Sequence, residues 1–447
     1  MKKYLALLLV LVMVLSLAAC ASKPAETTDE PEQTTPVPAP AEETKDEEPA
    51  PAEETKEEEP TEEPADNTEY AVAMITDYGD ITDQSFNQTT YEACKAFAEA
   101  NGVDFQYFKP AGDNTADRVA MIEKAVDEGF NVIVMPGYAF GGAIVEAAPE
   151  FPDVKFIALD VAAGDLLETA VAKAGESYDF NPSNWDLNKY VDMSNVYCAV
   201  YQEELCGYMA GYAAVKLGYK NLGFLGGMAV PAVQRYGYGF VQGVDAAAAE
   251  LKLTDVKVNY AYGNQFFGDA DITAAMDTWY AGGTEIVFAC GGGIYTSAVD
   301  AAKKVEGAKV IGVDVDQAAV IANYAAGEGA DAATVEGYKA LTVTSAMKGL
   351  YPATFDTLTD VIVNGNWEKY SGKIDTLGLV SADDPAANYV QIPMESTQWA
   401  DGKFTQDDYK ALVKAMFDGT LTVSNDITKA AKDFATVITV DDQGNIK

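Results

Sequence analysis

From residue 70 onward, the sequence predicts an α/β protein with two doubly wound, parallel-sheet lobes. Short apolar runs alternate with amphipathic helical stretches, and the runs are apolar enough to be buried on both faces. No short-period repeat indicates a solenoid, and the segment is long enough for two domains with their own cores. We expect the boundary between the lobes near residues 192–201.

Seven short apolar runs are predicted as buried strands. In chain order they are YAVAMIT, NVIVMP, KFIALD, NVYCAVY, NLGFLGG, TEIVFAC and KVIGVD. Between them, helical spacing of apolar residues predicts helices over residues 93–100, 119–126, 204–217, 232–249 and 295–304. This alternation assigns about residues 70–192 to the first lobe and about residues 196–313 to the second.

The pattern loosens after Leu350. TDVIVNG and DTLGLVS are predicted as strands, and residues 406–417 as a short amphipathic helix. We expect a late segment after residue 314 to cross back to the first lobe, and the C-terminal elements to complete the second.

The N-terminus has the features of an export signal. Lys2 and Lys3 precede an apolar run over residues 5–19, which is shorter than a membrane-spanning helix requires. The ending LSLAAC resembles the bacterial lipobox, which implies removal of the signal peptide, residues 1–20 in outline, by cleavage just before Cys20, and a diacylglycerol on the Cys20 sulfur. An ordinary signal peptide with an incidental cysteine is the alternative. We therefore expect the mature chain on the extracytoplasmic face of a cell membrane, anchored through Cys20.

Residues 21–69 are predicted to form a disordered, extended tether. This stretch is rich in Glu, Pro, Thr and Ala, and through Tyr70 it holds 18 acidic residues against three lysines. Such a composition buries too little apolar area to fold, and repulsion between like charges extends the chain. It is typical of a spacer.

Composition excludes several classes of function. The formal net charge of −40 argues against nucleic-acid binding, and the absence of histidine removes the commonest metal ligand and general base. Four further cysteines (Cys94, Cys198, Cys206 and Cys290) lack the spacing of zinc or redox motifs. They suit buried thiols, while an exported chain also permits disulfides. We expect a monomer with no metal, cofactor or catalytic residues.

Polar residues follow several predicted strands at the edge where ligands of parallel sheets bind. Asp77, Asp160 and Asp314 each end a strand run, and the Gly291 to Gly293 run follows IVFAC. Carboxylates accept hydrogen bonds from hydroxyls, and glycines let the backbone approach a ligand, so this rim is typical of a polyol site. Each aspartate taken alone could equally be a helix cap or a turn former.

The segment DYGDITDQSFNQ joins the first strand to the first helix. Asp83 is a plausible helix N-cap, and Phe86 one turn later suits either a ligand or the core. With its preceding threonine, the segment closely resembles the signature of the basic membrane protein family of bacterial lipoproteins, also called PnrA-like. The best-known members of this family are purine-nucleoside receptors of ABC importers.

The resemblance continues along most of residues 70–350. PEFPDVKFIALD, EELCGYMAGYAA, PAVQRYGYGFVQGV and VFACGGGIYTSAVDAAK with KVIGVDVDQ resemble family segments in the expected order. TVTSAMKG resembles a Thr-Ser-(x)2-Lys helix of the family. The family has the type I periplasmic-binding-protein architecture, in which two lobes close about a hinge.

The resemblance implies a set of ligand-binding residues. Phe86 and Tyr236 would sandwich a nucleobase from opposite lobes, with Tyr236 standing where the family usually has phenylalanine. Asp77 and Asn87 would lie at the polar edge of the base. The remaining positions, toward the ligand's polar groups and its ribose end, would be Asp160, Asp314, Gly292 and Lys348. The implied partners are a nucleoside, an ABC permease and the membrane, and nucleic acid is not among them.

Two alternatives remain open. One pattern resembles a dinucleotide-binding fingerprint: the strand IVFAC, the loop GGGIYT and the later Asp314. Thr296 stands at the third glycine position of that fingerprint. That pattern would favour a nucleotide-cofactor-dependent enzyme. A binding protein for a free sugar or another small ligand, acting in uptake or sensing, is the other alternative, because aromatic rings also stack on pyranoses.

Overall fold

The computed structural model describes residues 69–447. The predicted signal peptide, Cys20 and all but the last residue of the predicted tether lie outside the described residues. The strands are β1 Ala71–Ile75, β2 Asp104–Phe108, β3 Val132–Pro136, β4 Lys155–Leu159, β5 Val196–Tyr201, β6 Asn221–Gly226, β7 Lys257–Tyr262, β8 Ile286–Cys290, β9 Lys309–Asp314, β10 Thr342–Lys348, β11 Ile374–Leu377, β12 Val390–Gln391 and β13 Thr439–Asn445.

Helices connect most of these strands. They are α1 Phe86–Asn101, α2 Thr115–Asp127, α3 Phe140–Ala147, α4 Ala163–Lys173, α5 Glu203–Leu217, α6 Pro231–Leu251, α7 Ala270–Ala281, α8 Tyr295–Ala302, α9 Ala318–Ala326, α10 Ala332–Lys339, α11 Leu350–Leu358 and α12 Gln406–Phe417. No helix within residues 69–447 is both long and apolar enough to cross a membrane.

The strands form two sheets, each the centre of one lobe. The first has the order β11-β5-β4-β3-β1-β2 and is parallel throughout, and the second has the order β12-β10-β9-β8-β6-β7-β13. Only β12 pairs antiparallel in the second sheet, against β10. The predicted α/β fold with two doubly wound parallel sheets is confirmed.

Close packing of α5 against α6 brings several later site residues together. Gly207 and Gly211 on α5 face the backbone of α6 so closely that a Cβ atom would clash with the Tyr236 and Phe240 carbonyl oxygens. Gly239 and Gly243 on α6 meet α5 in the same way, at the backbone of Glu204 and Tyr208. This four-glycine contact sets the N-terminus of α5 directly beside the first turns of α6.

All seven predicted strand runs form strands, and residues 406–417 form α12 as predicted. Two predictions of secondary structure were wrong. TVTSAMK forms strand β10 instead of a helix, because it is buried in the middle of the second sheet between β9 and β12. TDVIVNG forms no strand, because Thr359–Val363 continues α11 as a π-helical turn. Strand β5 pairs with β4 in the first sheet and lies within residues 192–201, where the boundary between the lobes is expected.

The four cysteines of the described residues are free thiols, and all four are buried. Cys94 and Cys198 lie in the first-lobe core and Cys206 and Cys290 near the second sheet. Burial raises the pKa of Cys94 and Cys198 well above the usual value of a thiol.

Candidate functional site

A cavity of about 600 Å³ lies where the carboxyl ends of both sheets meet. Parallel sheets bind ligands at this edge, because strand-end loops and helix N-termini converge there. All eight residues predicted to bind a ligand line this cavity: Asp77, Phe86, Asn87, Asp160, Tyr236, Gly292, Asp314 and Lys348.

Asp160 and Asp314 occupy equivalent positions in the two sheets. Asp160 directly follows β4, and Asp314 is the last residue of β9. Both adopt the left-handed backbone conformation, with φ of 61° and 63°. This region is uncommon for residues other than glycine and often marks functional sites, although aspartate tolerates it better than most.

A buried chain of charges begins at Asp160. The Lys348 Nζ donates to Asp160 Oδ2 at 2.6 Å and to Glu203 Oε1 at 3.3 Å, and Arg235 Nε donates to Glu203 Oε2 at 2.6 Å. Burial alone would lower the pKa of Lys348, but the carboxylates of Asp160 and Glu203 outweigh burial and raise it. Burial raises the pKa of Asp160 to about 6 against the opposing effect of Lys348.

The Lys348 ammonium also lies close to the two rings predicted to sandwich a base. It is 4.9 Å from the Phe86 ring centroid and 5.6 Å from that of Tyr236. Lys348 stands on β10, next to the strand that carries Asp314, with Met347 in register with Asp314. Phe86 is half-buried: it lines the cavity and also packs on the core.

Asp314 is bound by hydroxyl groups instead of cations. Ser85 Oγ, from the first lobe, donates to Asp314 Oδ2 at 2.5 Å, and the Tyr236 hydroxyl donates to Oδ1 at 3.1 Å. The hydroxyl that distinguishes Tyr236 from a phenylalanine therefore has a buried hydrogen-bond partner, Asp314.

Asp77 anchors the turn that follows β1. Its Oδ1 accepts hydrogen bonds from the backbone N–H groups of Tyr78 at 2.6 Å and Gly79 at 2.9 Å. Burial raises the pKa of Asp77, and these two hydrogen bonds partly offset the effect. The carboxylate both forms the turn and lines the cavity.

Asp83 organises the start of α1. Helix α1 begins at Phe86 after Ser85, but the Asp83 carboxylate accepts the backbone N–H groups of Ser85, Asn87 and Gln88. Asp83 is therefore not the N-cap residue, which is Ser85, although the Asp83 carboxylate satisfies free N–H groups at the start of the helix. Asp83 also accepts Asn87 Nδ2 at 3.2 Å, which orients the Asn87 amide oxygen.

Two buried acceptor atoms of the cavity lining make no hydrogen bond within the described residues. They are Asn87 Oδ1 and Asp160 Oδ1. Buried polar atoms are nearly always paired, so each is suited to a donor from outside the protein. One acceptor belongs to an amide and the other to a carboxylate.

The cavity is acidic. Two cations, Arg235 and Lys348, line it, and both are paired with carboxylates. The acidic residues in its wall are Asp77, Asp80, Asp83, Asp113, Asp160, Asp165 and Asp314. Within residues 69–447, no group of acidic or cysteine side chains is arranged to hold a metal ion.

Several lining residues escaped prediction, among them Tyr78, Met228, Arg235 and Phe266. Phe266 lies in the loop after β7, and no strand was predicted there, so the loop was not placed at this edge. Gly292, predicted to approach a ligand, adopts φ of 48° and approaches the Phe266 carbonyl oxygen, from which an added Cβ would be 2.9 Å away. The glycine run therefore accommodates a neighbouring loop of the same lobe.

A family model and several known proteins are similar to this chain. The family model described as "ABC transporter substrate-binding protein PnrA-like" matches residues 70–382. A protein of Lactococcus lactis named "ABC transporter nucleoside-binding protein BmpA" is 27% identical over 262 residues, which cover 56% of this chain and 65% of that protein. The chain thus spans slightly less than two thirds of that relative. An uncharacterized lipoprotein of Pyrococcus abyssi is 24% identical over 71% of this chain and 69% of its own length.

Solved structures support the fold. The crystal structure of an ABC transporter solute-binding protein from Aeropyrum pernix has a TM-score of 0.56 and 18% identity, covering 82% of this chain and 90% of that chain. These findings confirm the resemblance drawn from the sequence. The chain belongs to the PnrA-like family of ABC transporter substrate-binding proteins.

Proposed function

We propose that the protein is a membrane-anchored extracytoplasmic receptor that binds a nucleoside between its two lobes and delivers it to an ABC permease. A purine nucleoside is the proposed ligand. The observation that carries the proposal is the pair of unpartnered acceptors, Asn87 Oδ1 and Asp160 Oδ1, in a cavity that also presents the Phe86 and Tyr236 rings.

Donor groups of a nucleoside match the two unpartnered acceptors. An amide oxygen such as Asn87 Oδ1 suits the N–H or amino group of a base, and a carboxylate such as Asp160 suits a ribose hydroxyl. The rings add stacking, worth about 1–3 kcal/mol per base. A volume of about 600 Å³ lies within the range of small-molecule sites.

The charge of the cavity favours a nucleoside over a nucleotide. A phosphate group needs a free cation or unpaired N–H groups, but both lining cations are engaged by Glu203 and Asp160. A phosphorylated ligand would also meet the surrounding aspartates. We therefore infer that an unphosphorylated ligand is selected. We also propose that the protein binds its ligand without catalysing a reaction, in keeping with a family of substrate-binding proteins.

Calorimetric titration of residues 21–447 tests the ligand. We expect micromolar or tighter binding of inosine, guanosine or adenosine, with free adenine, ribose and the 5′-monophosphates much weaker. Binding of a sugar or of NAD in the absence of nucleoside binding would overturn the proposal in favour of its alternatives. Close packing of Gly291 and Gly293 on the Phe266 loop argues against the dinucleotide alternative.

A stacking variant tests the assigned site. Phe86→Ala should weaken nucleoside binding at least tenfold, because one stacking face is worth about 1–3 kcal/mol. Phe417→Ala, at an exposed position on α12 outside the cavity, is the matched control. Wild-type affinity in Phe86→Ala would remove Phe86 from the site.

Membrane anchoring is tested separately from binding. Mass spectrometry of the membrane fraction should find a diacylglycerol-modified Cys20 at the mature N-terminus, and Cys20→Ala should release the protein from that fraction. Retention of the unmodified variant on the membrane would contradict a lipid anchor. Transport dependence is tested by nucleoside uptake in cells that lack this protein.

A further inference from the structure

We propose that Tyr78 and Phe266 form an aromatic latch between the lobes, which stabilises the closed state and slows the release of a bound ligand. It rests on the proposed function only in requiring that a small ligand binds in this cavity. Neither residue belongs to the eight predicted from the sequence.

The two rings meet across the cavity from different sheets. Tyr78 directly follows Asp77 at the end of β1, and Phe266 lies in the loop between β7 and α7. Their ring centroids are 6.1 Å apart with an interplanar angle of 30°, an offset-stacked geometry. The Tyr78 hydroxyl also donates to Met228 Sδ at 3.3 Å, so Tyr78 contacts two segments of the opposite lobe.

Phe266 is firmly seated in its own lobe. Its ring packs on Gly227 and Gly291. At Gly291 an added Cβ would lie 2.8 Å from Phe266 Cδ1, and at Gly227 it would clash with the ring. The Gly293 N–H donates to the Phe266 carbonyl oxygen at 2.8 Å. Side chains at these glycines would displace the ring, so the loops after β6 and β8 define its position.

The loop that carries Phe266 is also held by strand β13, which lies beyond the segment matched by the family model. The Ile446 N–H donates to the Tyr262 carbonyl oxygen at 2.8 Å, immediately before the loop. Lys447 pairs with Asp269 and donates to Gln265 Oε1 at 3.3 Å. These contacts fix both sides of Phe266.

Tyr78 is supported from the first lobe. The Arg118 Cζ lies 5.8 Å from the Tyr78 ring centroid, and Arg118 Nε donates to the Asp77 carbonyl oxygen at 3.3 Å. Arg118 is buried and pairs with Asp113. Both rings are thus held in place before they meet, which lowers the entropic cost of forming the contact.

The contact exists only when the lobes are together, so it contributes to the closed state alone. Removing it should therefore increase the dissociation rate and leave the association rate nearly unchanged. From the usual strength of an aromatic pair, we expect dissociation to accelerate up to about tenfold.

The test measures release and closure in the same variants. Stopped-flow displacement of the nucleoside identified by calorimetry should show up to about tenfold faster dissociation from Phe266→Ala, with association within twofold of wild type. Phe266→Leu removes the aromatic ring but keeps most of the apolar volume, so it should have an intermediate effect. This variant replaces Phe266→Ala in the test where the alanine variant does not fold. Phe180→Ala, at an exposed first-lobe position outside the cavity lining, is the control.

Electron–electron distance measurements between spin labels at Glu123→Cys and Lys303→Cys, exposed positions of opposite lobes, report closure directly. We expect a smaller closed population in Phe266→Ala than in wild type, in ligand-free protein and with ligand. A closed population and a release rate both equal to wild type would overturn the latch. The two proposals can fail separately. If the wild-type protein binds no nucleoside, while Phe266→Ala still has a smaller closed population than wild type, the proposed function is overturned and the latch stands.

Discussion

Asp160 and Asp314 share a strand-end position, a left-handed backbone and one cavity, but the two lobes surround them differently. Asp160 lies against the ammonium of Lys348, within a buried chain of charges that continues through Glu203 to Arg235. Asp314 is bound by the neutral hydroxyls of Ser85 and Tyr236. In both cases a partner comes from the opposite lobe, so each carboxylate links the lobes.

The difference indicates two ways to hold a buried carboxylate near a ligand. The ion-paired end keeps one oxygen, Asp160 Oδ1, without a partner in the described residues, whereas both Asp314 oxygens are occupied. Breaking a buried ion pair leaves an uncompensated charge, which costs more than losing a hydroxyl donor. We therefore expect the Asp160 end to dominate stability and the Asp314 end to tolerate change.

Removal of Lys348 should have the largest effect. Lys348→Met leaves the fully buried Glu203 and the largely buried Asp160 as neighbouring carboxylates with only Arg235 to compensate them. We expect a loss of about 3–5 kcal/mol in the free energy of unfolding, measured by urea denaturation at pH 7. Lys304→Met breaks the exposed pair with Asp277 and should cost at most about 1 kcal/mol. Equal losses in the two variants would contradict the comparison.

The second-largest effect should be a pH dependence of the free energy of unfolding at the charged end, next to Glu203. Glu204, adjacent to Glu203, is 2% exposed, and its Oε2 has no hydrogen-bond partner among residues 69–447. Burial, with a contribution from the Glu203 charge, raises the pKa of Glu204 from 4.5 to about 7. Between these values the unfolded chain loses this proton while the folded protein keeps it, so Glu204 makes stability fall as pH rises.

Glu204→Gln should abolish this contribution. The variant should match wild type at pH 4 and be more stable at pH 8, by about 3 kcal/mol, because its side chain never ionises. Chemical denaturation at both pH values measures the difference, and Glu306→Gln at an exposed position should follow the wild-type curve. A constant offset between Glu204→Gln and wild type across pH would contradict the assignment.

The rim of the cavity was predictable because its residues follow recognisable strands. Asp160 comes directly after KFIAL and Asp314 ends KVIGVD, and both runs are buried in the sheets as predicted. Partners of these carboxylates were harder to identify. Arg235 reaches Glu203 only because glycines allow α5 and α6 to pack closely, a tertiary contact that local sequence pattern does not reveal.

Other elements, among them the edge strand β13, were not predicted correctly for a different reason. Strand β13, TVDDQGN, is exposed and rich in residues that disfavour strands, and it forms by adding to the edge of β7. The apolar run TDVIVNG has strand length but continues a helix, and short apolar runs do not distinguish these outcomes. Since β7 was also missed, nothing in the sequence pattern indicated that Phe266 lies at the cavity.

The smallest effect should come from the neutral end. Tyr236→Phe removes the hydroxyl that donates to Asp314 Oδ1, while Ser85 still donates to Oδ2. We expect a loss of about 1.5 kcal/mol in the free energy of unfolding, because a single hydrogen bond to a buried carboxylate is lost without creating an unpaired cation. The aromatic ring remains, so nucleoside affinity measured by calorimetry should change less than in Phe86→Ala. A loss as large as that of Lys348→Met would mean that the two carboxylates depend equally on their partners, and the distinction between the charged and neutral ends would fail.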